Sequence, residues 1–350
     1  MPRIAAVAHS VPPHEVPQQV VREFAVRLFG DELQDPGRLR SVFDNSRVEH
    51  RRFMMPLEWY GSPRGFAESN RIFVQEGFAL VGHAVSLCLE KAGLPAVAVD
   101  QIIFVTSTGH ATPTMDAHVI NTFGFPSRTS RLPIWGLGCA GGAAGLARAV
   151  DYCRAYPRGR VLVIALECCS LSFMPEEISK KNVVAASLFS DGCAAVLVAG
   201  DDTGTRGPAV TATASHLFPD SYRIMGWDFT DQGMNLVLSP LLPALVKQQL
   251  AGLLDPFLRS QRVRRQDLIH FIAHPGGARV IDALRKSLEL EGSQLHATED
   301  VLRRFGNMSS VSVLMVLEQW LSSEESSRRG HGLLVAFGPG FSAEMLLLEV

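Results

Sequence analysis

A single cysteine, Cys139, stands among small residues at positions 136–146, directly before a helical pattern. The first turn of a helix offers unpaired backbone N–H groups and the positive end of the helix dipole, and both favour a thiolate over a thiol. The thiolate is the nucleophilic form of cysteine, and small neighbours leave room for a substrate carbonyl. The segment therefore predicts a nucleophilic cysteine, with a buried structural cysteine as the alternative.

The same segment also fits a dinucleotide-binding fingerprint. Glycines recur as Gly-x-Gly-x-x-Gly at positions 136, 138 and 141, and Glu167 ends the next strand-like run. In that fingerprint the glycines approach a pyrophosphate and the acidic residue binds a ribose hydroxyl. The motif lies deep in the chain, after a short strand that contains Pro133. A dinucleotide-dependent oxidoreductase is therefore a competing hypothesis with weak support.

Two polar residues in the second part of the chain could complete a site with Cys139. His274 ends an apolar run, and Asn307 follows Gly306 at the start of another helical pattern. An imidazole can hold the proton of a thiol, and imidazole and amide N–H groups can stabilise an oxyanion or enolate. No Asp or Glu stands beside His274 as an orienting group. These residues favour thioester chemistry over proteolysis.

The elements that position these residues repeat along the chain. A strand followed by a polar loop occurs at 101–110 and again at 268–277, and Gly138-Cys139 and Gly306-Asn307 each open an apolar helix. This duplication predicts that the cysteine, histidine and asparagine face one cleft. It divides the chain into halves at 1–204 and 205–350, the first carrying the cysteine and the second carrying the histidine and the asparagine.

The alternation of elements predicts an α/β layered fold with mostly parallel strands. The predicted strands are 3–8, 101–106, 160–166, 194–199, 210–218, 268–273, 332–337 and 344–350. The predicted helices are 18–29, 70–92, 116–123, 143–152, 236–253, 278–290 and a segment from about 310 to 320, with 30–70 irregular.

Composition excludes several functional classes. The chain has 350 residues, of which 47% are hydrophobic and 19% charged, and a net charge of −2. This balance argues against binding to nucleic acid or to a membrane surface. No uninterrupted apolar run reaches the roughly 18 residues of a membrane span. The six cysteines show no metal-ligand spacing, so we expect no metal site and a reduced, cytoplasmic protein.

An arginine cluster occupies the irregular segment before residue 70. Its members are Arg38, Arg40, Arg47, Arg51 and Arg52. Arginines bind the phosphates of nucleotide-tailed molecules such as coenzyme A, although a solvated surface is the simpler interpretation.

Four motifs together resemble those of the type III polyketide synthases, the chalcone synthase-like group. They are Gly138-Cys139-Ala140-Gly141-Gly142, His274-Pro275-Gly276-Gly277, Gly306-Asn307-Met308-Ser309-Ser310 and Gly338-Pro339-Gly340. The resemblance covers nearly the whole chain. It implies the thiolase fold, with two similar halves in a five-layered αβαβα arrangement, and a homodimer. It also implies acyl-CoA and malonyl-CoA substrates and no further cofactor.

The resemblance assigns roles to individual residues. Cys139 would carry the acyl group, and His274 and Asn307 would bind thioester carbonyls and stabilise the enolate formed when malonyl-CoA loses CO₂. Phe189 would be the gate between the CoA tunnel and the cavity, and Thr112 would reach into the partner's cavity. The remaining candidates for substrate binding are Ser107, Cys169, Ser172, Gly226, Gly277, Ser309 and, for CoA, Arg38.

Two departures from the plant enzymes bear on the substrate. Cys169 and Ser172 stand where the chalcone-forming enzymes carry threonines, and the segments 168–173 and 224–228 are more similar to bacterial alkylpyrone and alkylresorcinol synthases. Small side chains there could open an apolar tunnel for a long acyl chain. We therefore expect fatty acyl-CoA starters. Starter length, the number of extensions and the cyclisation route stay open.

Two further hypotheses concern the same residues. A ketoacyl-ACP synthase III shares the Cys-His-Asn set, but it uses malonyl on a carrier protein and condenses once. The His-Pro-Gly-Gly motif and Gly338-Pro339-Gly340 argue against it. A catalytically inactive scaffold is disfavoured by the intact Cys-His-Asn set.

Overall fold

The computed structural model describes residues 1–29, 36–230 and 233–350, without the side chains of Pro36 and Arg38. Its strands are β1 Arg3–Ser10, β2 His14–Pro17, β3 His50–Phe53, β4 Gln101–Thr106, β5 Ser130–Trp135, β6 Arg160–Cys168, β7 Asp191–Ala199, β8 Ala209–Leu217, β9 Met225–Thr230, β10 Gly233–Leu238, β11 Leu268–Ala273, β12 His331–Gly338 and β13 Ser342–Glu349. Its helices are α1 Gln18–Phe29, α2 Pro36–Asp44, α3 Phe66–Ala92, α4 Met115–Thr122, α5 Gly141–Ala155, α6 Lys180–Leu188, α7 Leu242–Ser260, α8 Ala278–Ser287, α9 His296–Phe305 and α10 Ser310–Leu321.

Nine strands form the main sheet, in the order β11-β12-β13-β8-β1-β7-β6-β4-β5. The two halves meet at β1 and β8, whose register contains a single residue pair, Arg3 with Ala209. Among the eight pairings of this sheet in the described residues, only β11–β12, β4–β5 and β4–β6 are parallel. The prediction of mostly parallel strands is therefore wrong. Strands β13 and β7 each return antiparallel to the strand before them in the sheet, which makes it mixed.

The layers follow the order helix, sheet, helix, sheet, helix that the resemblance implies. Side chains alternate along each buried strand, so β6 turns Val163 to the central helices and Leu162 and Ile164 to the outer helix α3. Helices α5 and α10 lie in the central layer, between the two halves of the sheet. Helices α7 and α8 cover the opposite outer face.

The two central helices approach each other closely at a glycine. A Cβ atom added at Gly142 would lie 2.2 Å from the main-chain oxygen of Ser310, a distance that real Cβ atoms do not adopt. Gly145 similarly faces Val163 and Val105 of the sheet. The glycine-rich start of α5 thus serves helix packing.

Several predicted boundaries differ from the structure. The predicted helix 236–253 is wrong at its start, because β9 and β10 form a hairpin that ends at Leu238 and α7 begins at Leu242. The segment 30–70 is less irregular than predicted, since it contains α2, β3 and the start of α3. Short strands with mixed burial, such as β3 with its four residues, give a weak periodic signal.

Helix α3 is the one helix in the described residues that is long and apolar enough to cross a membrane. Its most apolar window is 56% buried within the protein. The helix packs on β1, β6 and β7 as a core element.

Candidate active site

Cys139 lies in a short 3-10 turn, Gly138–Ala140, that leads directly into α5. Gly138 has a φ of 46°, and a Cβ there would lie 2.7 Å from the ring of Pro339. The Gly138 N–H donates to the Ser107 hydroxyl at 2.8 Å. The glycine permits the close approach of the Gly338-Pro339-Gly340 segment, and Ser107 fixes the turn that carries the cysteine.

Asn307 and Ser309 occupy the corresponding place before α10. The Asn307 Oδ1 atom accepts a hydrogen bond from the Ser309 main-chain N–H at 2.8 Å. Because this contact uses the amide oxygen of Asn307, the amide NH₂ group is left to donate hydrogen bonds to other partners. Ser309 holds a left-handed φ of 49°, which belongs to a tightly constrained turn.

His274 follows the last residue of β11, and its main-chain N–H donates to the Val335 carbonyl at 2.9 Å. The side chain is 3% exposed, and neither ring nitrogen has a hydrogen-bond partner among the described residues. Burial lowers the pKa of His274 to about 3. The imidazole is therefore neutral at pH 7, a form that can donate from one nitrogen and accept at the other.

The structure brings Cys139, His274 and Asn307 to the wall of one cavity, which we call the catalytic cavity. Its volume is about 690 Å³, including its opening. Four other predicted site residues line it: Phe189, Cys169, Gly226 and Ser309. Much of the remaining wall is apolar and comes from β10, α7 and Trp227: Leu236, Leu238, Leu242, Val246 and Trp227.

The protonation of Cys139 differs from the prediction. Burial raises the pKa of its thiol to about 12, although hydrogen bonds from the Ser309 and Asn307 side chains oppose the shift. Loss of hydration at a side chain that is 8% exposed outweighs the effect of the helix start. The thiol of Cys139 and the imidazole of His274 are therefore both neutral in this buried site.

A second cavity of about 630 Å³ adjoins the catalytic cavity. Phe189 and Cys169 line both cavities, as do Trp227 and Leu236. The rings of Phe189 and Trp227 lie 6.5 Å apart. Ser172 lines only the second cavity, and its hydroxyl donates to the Cys169 carbonyl at 2.7 Å. Phe189 thus stands at the boundary between the two spaces.

Three predicted site residues, Ser107, Gly277 and Thr112, lie outside both cavities. Ser107 is behind the cysteine turn, as described above. Gly277, with a φ of 131°, caps the start of α8 beside the histidine loop. Thr112 is exposed in the loop before α4. The Arg38 side chain lies outside the described residues.

Glu167 was predicted only as the acidic residue of a dinucleotide site. It is buried, and its carboxylate accepts hydrogen bonds from the Ser107 N–H at 3.0 Å, the Thr108 hydroxyl at 2.8 Å and the Ser310 hydroxyl at 2.6 Å. Burial raises the pKa of Glu167 to about 7. With both oxygens occupied, it cannot bind a ribose. A Cβ atom at Gly141, the last glycine of the fingerprint, would lie 2.7 Å from Val105, so this glycine serves packing as Gly142 does. Both observations remove the dinucleotide hypothesis.

The structure also differs from the sequence at Arg51, since the sequence predicts a solvated or phosphate-binding arginine there. It is 3% exposed and lines the second cavity. The signal was its place in β3, where alternate residues are buried. Within the ranges that the structure describes, no cluster of His, Cys, Asp or Glu side chains is able to hold a metal ion.

Comparisons with known proteins agree with the fold. Family models for the N-terminal and C-terminal domains of chalcone and stilbene synthases match residues 3–202 and 209–350. A Bacillus subtilis (strain 168) protein provisionally named chalcone synthase is 40% identical, over 99% of this chain and 98% of its own. A 1,3,6,8-tetrahydroxynaphthalene synthase from Streptomyces peucetius subsp. caesius is 36% identical, over 99% of this chain and 92% of its own.

The crystal structure of the 1,3,6,8-tetrahydroxynaphthalene synthase from Streptomyces coelicolor A3(2), a bacterial type III polyketide synthase, superimposes with a TM-score of 0.93. The two chains are 30% identical, and 99% of each is covered. The predicted thiolase-like α/β fold is confirmed.

Proposed function

Because the chain belongs to the chalcone and stilbene synthase family and is a type III polyketide synthase, we propose that it extends fatty acyl-CoA starters. Malonyl-CoA supplies the extender units, and the products cyclise to alkylpyrones or alkylresorcinols. The substrates are coenzyme A thioesters, and no further cofactor takes part. Carrier-protein-bound malonyl is not required, which separates this proposal from a ketoacyl-ACP synthase III.

Cys139 is the proposed nucleophile. Its sulfur attacks the starter thioester while neutral His274 accepts the thiol proton, and that proton passes to the departing coenzyme A sulfur. The mutual burial of the two side chains supports this order, because it leaves both groups neutral until attack begins. The starter acyl group is then held as a thioester on Cys139.

His274 and Asn307 are the proposed donors to the malonyl thioester oxygen. Loss of CO₂ from malonyl-CoA places negative charge on that oxygen, and two fixed N–H donors in a dry site stabilise the enolate. The enolate carbon attacks the acyl carbonyl and expels the Cys139 thiolate. Reacylation of Cys139 by the extended chain begins the next round.

The second cavity is the observation that carries the starter assignment. It shares Cys169 and Phe189 with the wall of the catalytic cavity, and its own wall is mostly apolar. An alkyl chain buried there gains about 0.8 kcal/mol per methylene group withdrawn from water. A short starter leaves this space unfilled. The arrangement therefore favours a long acyl chain that passes Phe189 while its carbonyl stays at Cys139.

The remaining assignments rest on the resemblance. We propose a cytoplasmic homodimer in which exposed Thr112 reaches the partner's cavity, and Arg38 binds coenzyme A phosphates. Ser107, Gly277 and Ser309 shape the site around the reacting groups. The halves 1–204 and 205–350 supply the nucleophile and the two donors, respectively. The six free cysteines support a reducing compartment.

A starter ladder tests the proposal. Purified protein is incubated with malonyl-CoA and acyl-CoA starters from acetyl to palmitoyl, plus one aromatic starter, and products are read by mass spectrometry. We expect alkylpyrones or alkylresorcinols from the long starters, and none with Cys139→Ala. An aromatic product such as tetrahydroxynaphthalene, formed with malonyl-CoA as the only substrate, would overturn the starter assignment. A single condensation that needs malonyl on a carrier protein would favour the ketoacyl synthase mechanism.

A further inference from the structure

Arg51 is a buried cation at the edge of the second cavity. Its side chain is 3% exposed, and no carboxylate among the described residues lies within ion-pair distance of it, although the more distant buried carboxylate of Asp191 favours its charged form. Burial lowers the pKa of Arg51 to about 9, so the side chain keeps its charge at pH 7. Burying a charged group without a counter-ion is costly unless its donors are satisfied. The partners that satisfy this guanidinium therefore show what it does.

Those partners are the main-chain carbonyls at the end of α6. The Arg51 Nε–H donates to the Phe189 carbonyl at 2.8 Å, and the two Nη groups donate to the carbonyls of Phe189 and Ala186. The guanidinium also lies over the Phe53 ring, 4.7 Å from its centre. The last carbonyls of a helix lack partners within the helix and attract cations. Arg51 thus holds the main chain at Phe189, the residue that lines both cavities.

The opposite edge of the same segment is bonded to Asn307. The Asn307 N–H donates to the Leu188 carbonyl at 2.9 Å, and the Ser190 N–H donates to the Asn307 carbonyl at 2.9 Å. Phe189 therefore sits between main-chain bonds from Asn307 and side-chain bonds from Arg51. Removal of the arginine would release one of these two attachments and leave the other in place.

We propose that Arg51 is a positioning residue that fixes Phe189 between the two cavities and thereby sets the preference for starter chain length. This inference rests on the proposed use of acyl-CoA starters. Fixing the main chain limits the positions of the Phe189 ring, which controls how a chain passes from Cys139 towards Ser172. Hydrogen bonds from a charged donor are strong enough to hold such a position.

The test compares three variants across the same acyl-CoA ladder. R51M keeps the length and apolar stem of the side chain but removes every donor, and R51K keeps the charge with a different geometry. R52M is the matched control, because Arg52 is the next residue of β3, pairs with Glu15 at 2.6 Å and lines neither cavity. For each variant, kcat/KM is measured for every starter, together with thermal unfolding.

We expect the ratio of kcat/KM between the preferred and the least preferred starter to fall about tenfold in R51M, which is the effect of losing a charge-assisted hydrogen bond. R51K should show a smaller fall and R52M none. A loss of folded protein would lower all rates by one factor and leave the ratios unchanged. If R51M does not fold, R51K alone decides the question.

A wild-type ratio in R51M, or in R51K when R51M is unfolded, would overturn the role of Arg51. This result is distinguishable from failure of the proposed function. If wild-type protein prefers short starters, the alkyl assignment fails, yet a flattened profile in R51M still supports the positioning role. An equal change in R52M would also contradict the inference, since the Arg52 side chain pairs with Glu15 and only its main chain is bonded to Ser190.

Discussion

Filling the second cavity should shift the enzyme from long to short starters. Ser172→Phe places a ring in that space, because the Ser172 side chain lines the second cavity and not the catalytic cavity. The second cavity has a volume of about 630 Å³, including its opening, and its mostly apolar wall can enclose several methylene groups in the wild-type protein. The substituted ring removes the space nearest to the boundary at Cys169.

The magnitude follows from the methylenes that can no longer be buried. At about 0.8 kcal/mol each, four excluded methylenes cost about 3 kcal/mol, which corresponds to a loss on the order of a hundredfold in kcat/KM. The loss should appear for decanoyl-CoA and longer starters, whereas acetyl-CoA should change little. The control is Ser172→Ala, which removes the 2.7 Å hydrogen bond to the Cys169 carbonyl and adds no volume.

The assay is product formation from each starter with malonyl-CoA, in wild type and both variants, with unfolding temperatures measured in parallel. An unchanged ratio of long to short starters in a folded Ser172→Phe protein would refute the reasoning. It would show that the alkyl chain occupies another path. An equal change in Ser172→Ala would assign the effect to the lost hydrogen bond and not to volume.

Three further predictions concern the catalytic cavity and its supporting elements. Gly226→Leu should fold, because a Cβ atom at Gly226 meets open space in the catalytic cavity. The leucine fills part of that cavity, so mass spectrometry should detect shorter polyketides than those of the wild type. Unchanged product lengths would contradict this prediction. Glu167→Gln should flatten the pH dependence of the unfolding free energy. The wild-type carboxyl has a raised pKa of about 7, so its folded form binds more protons than the unfolded chain and stability falls as pH rises from about 4 to 7. The unfolding free energy of the variant relative to that of the wild type should therefore rise by up to about 3 kcal/mol across that window. Denaturant titrations in which both proteins show the same pH dependence would contradict the raised pKa of Glu167. Gly142→Ala should destabilise the protein by about 1–3 kcal/mol, because its Cβ atom would collide with the main-chain oxygen of Ser310. The control Gly252→Ala in α7, where an added Cβ atom meets no neighbour, should stabilise the protein slightly. Equal changes in the unfolding free energy of both variants would refute the packing argument.

The sequence was most informative where chemistry and duplication coincide. Cys139, Asn307 and His274 follow equivalent elements of the two halves, so their convergence on one cleft could be inferred from order alone. The buried strands β4, β6 and β7 were clear because their apolar runs are continuous. The sequence does not predict the hairpin of β9 and β10, because its residues are of mixed burial. The apolar residues of β10 directly precede an apolar helix and fit the periodicity of that helix.

The protonation state of Cys139 and the long-range contacts of Arg51 could not be predicted from the sequence. The pKa of Cys139 depends on the depth of its burial, which outweighs the helix start that the local sequence reveals. Arg51 stands in an arginine-rich segment, and only the tertiary structure shows that it is enclosed and bound to the carbonyls of Phe189 and Ala186. Both features arise from contacts between residues far apart in the chain.

The most direct test of the central proposal is the identity of the residue that carries the acyl group. Wild-type protein and Cys139→Ala are incubated with a long-chain acyl-CoA, quenched in acid and digested, and the acylated peptide is identified by mass spectrometry. We predict the acyl mass on the peptide that contains Cys139, no acylation in the variant, and loss of the label when malonyl-CoA is added. Acylation of Cys169, which lines the same cavity, or product formation by Cys139→Ala would contradict the account.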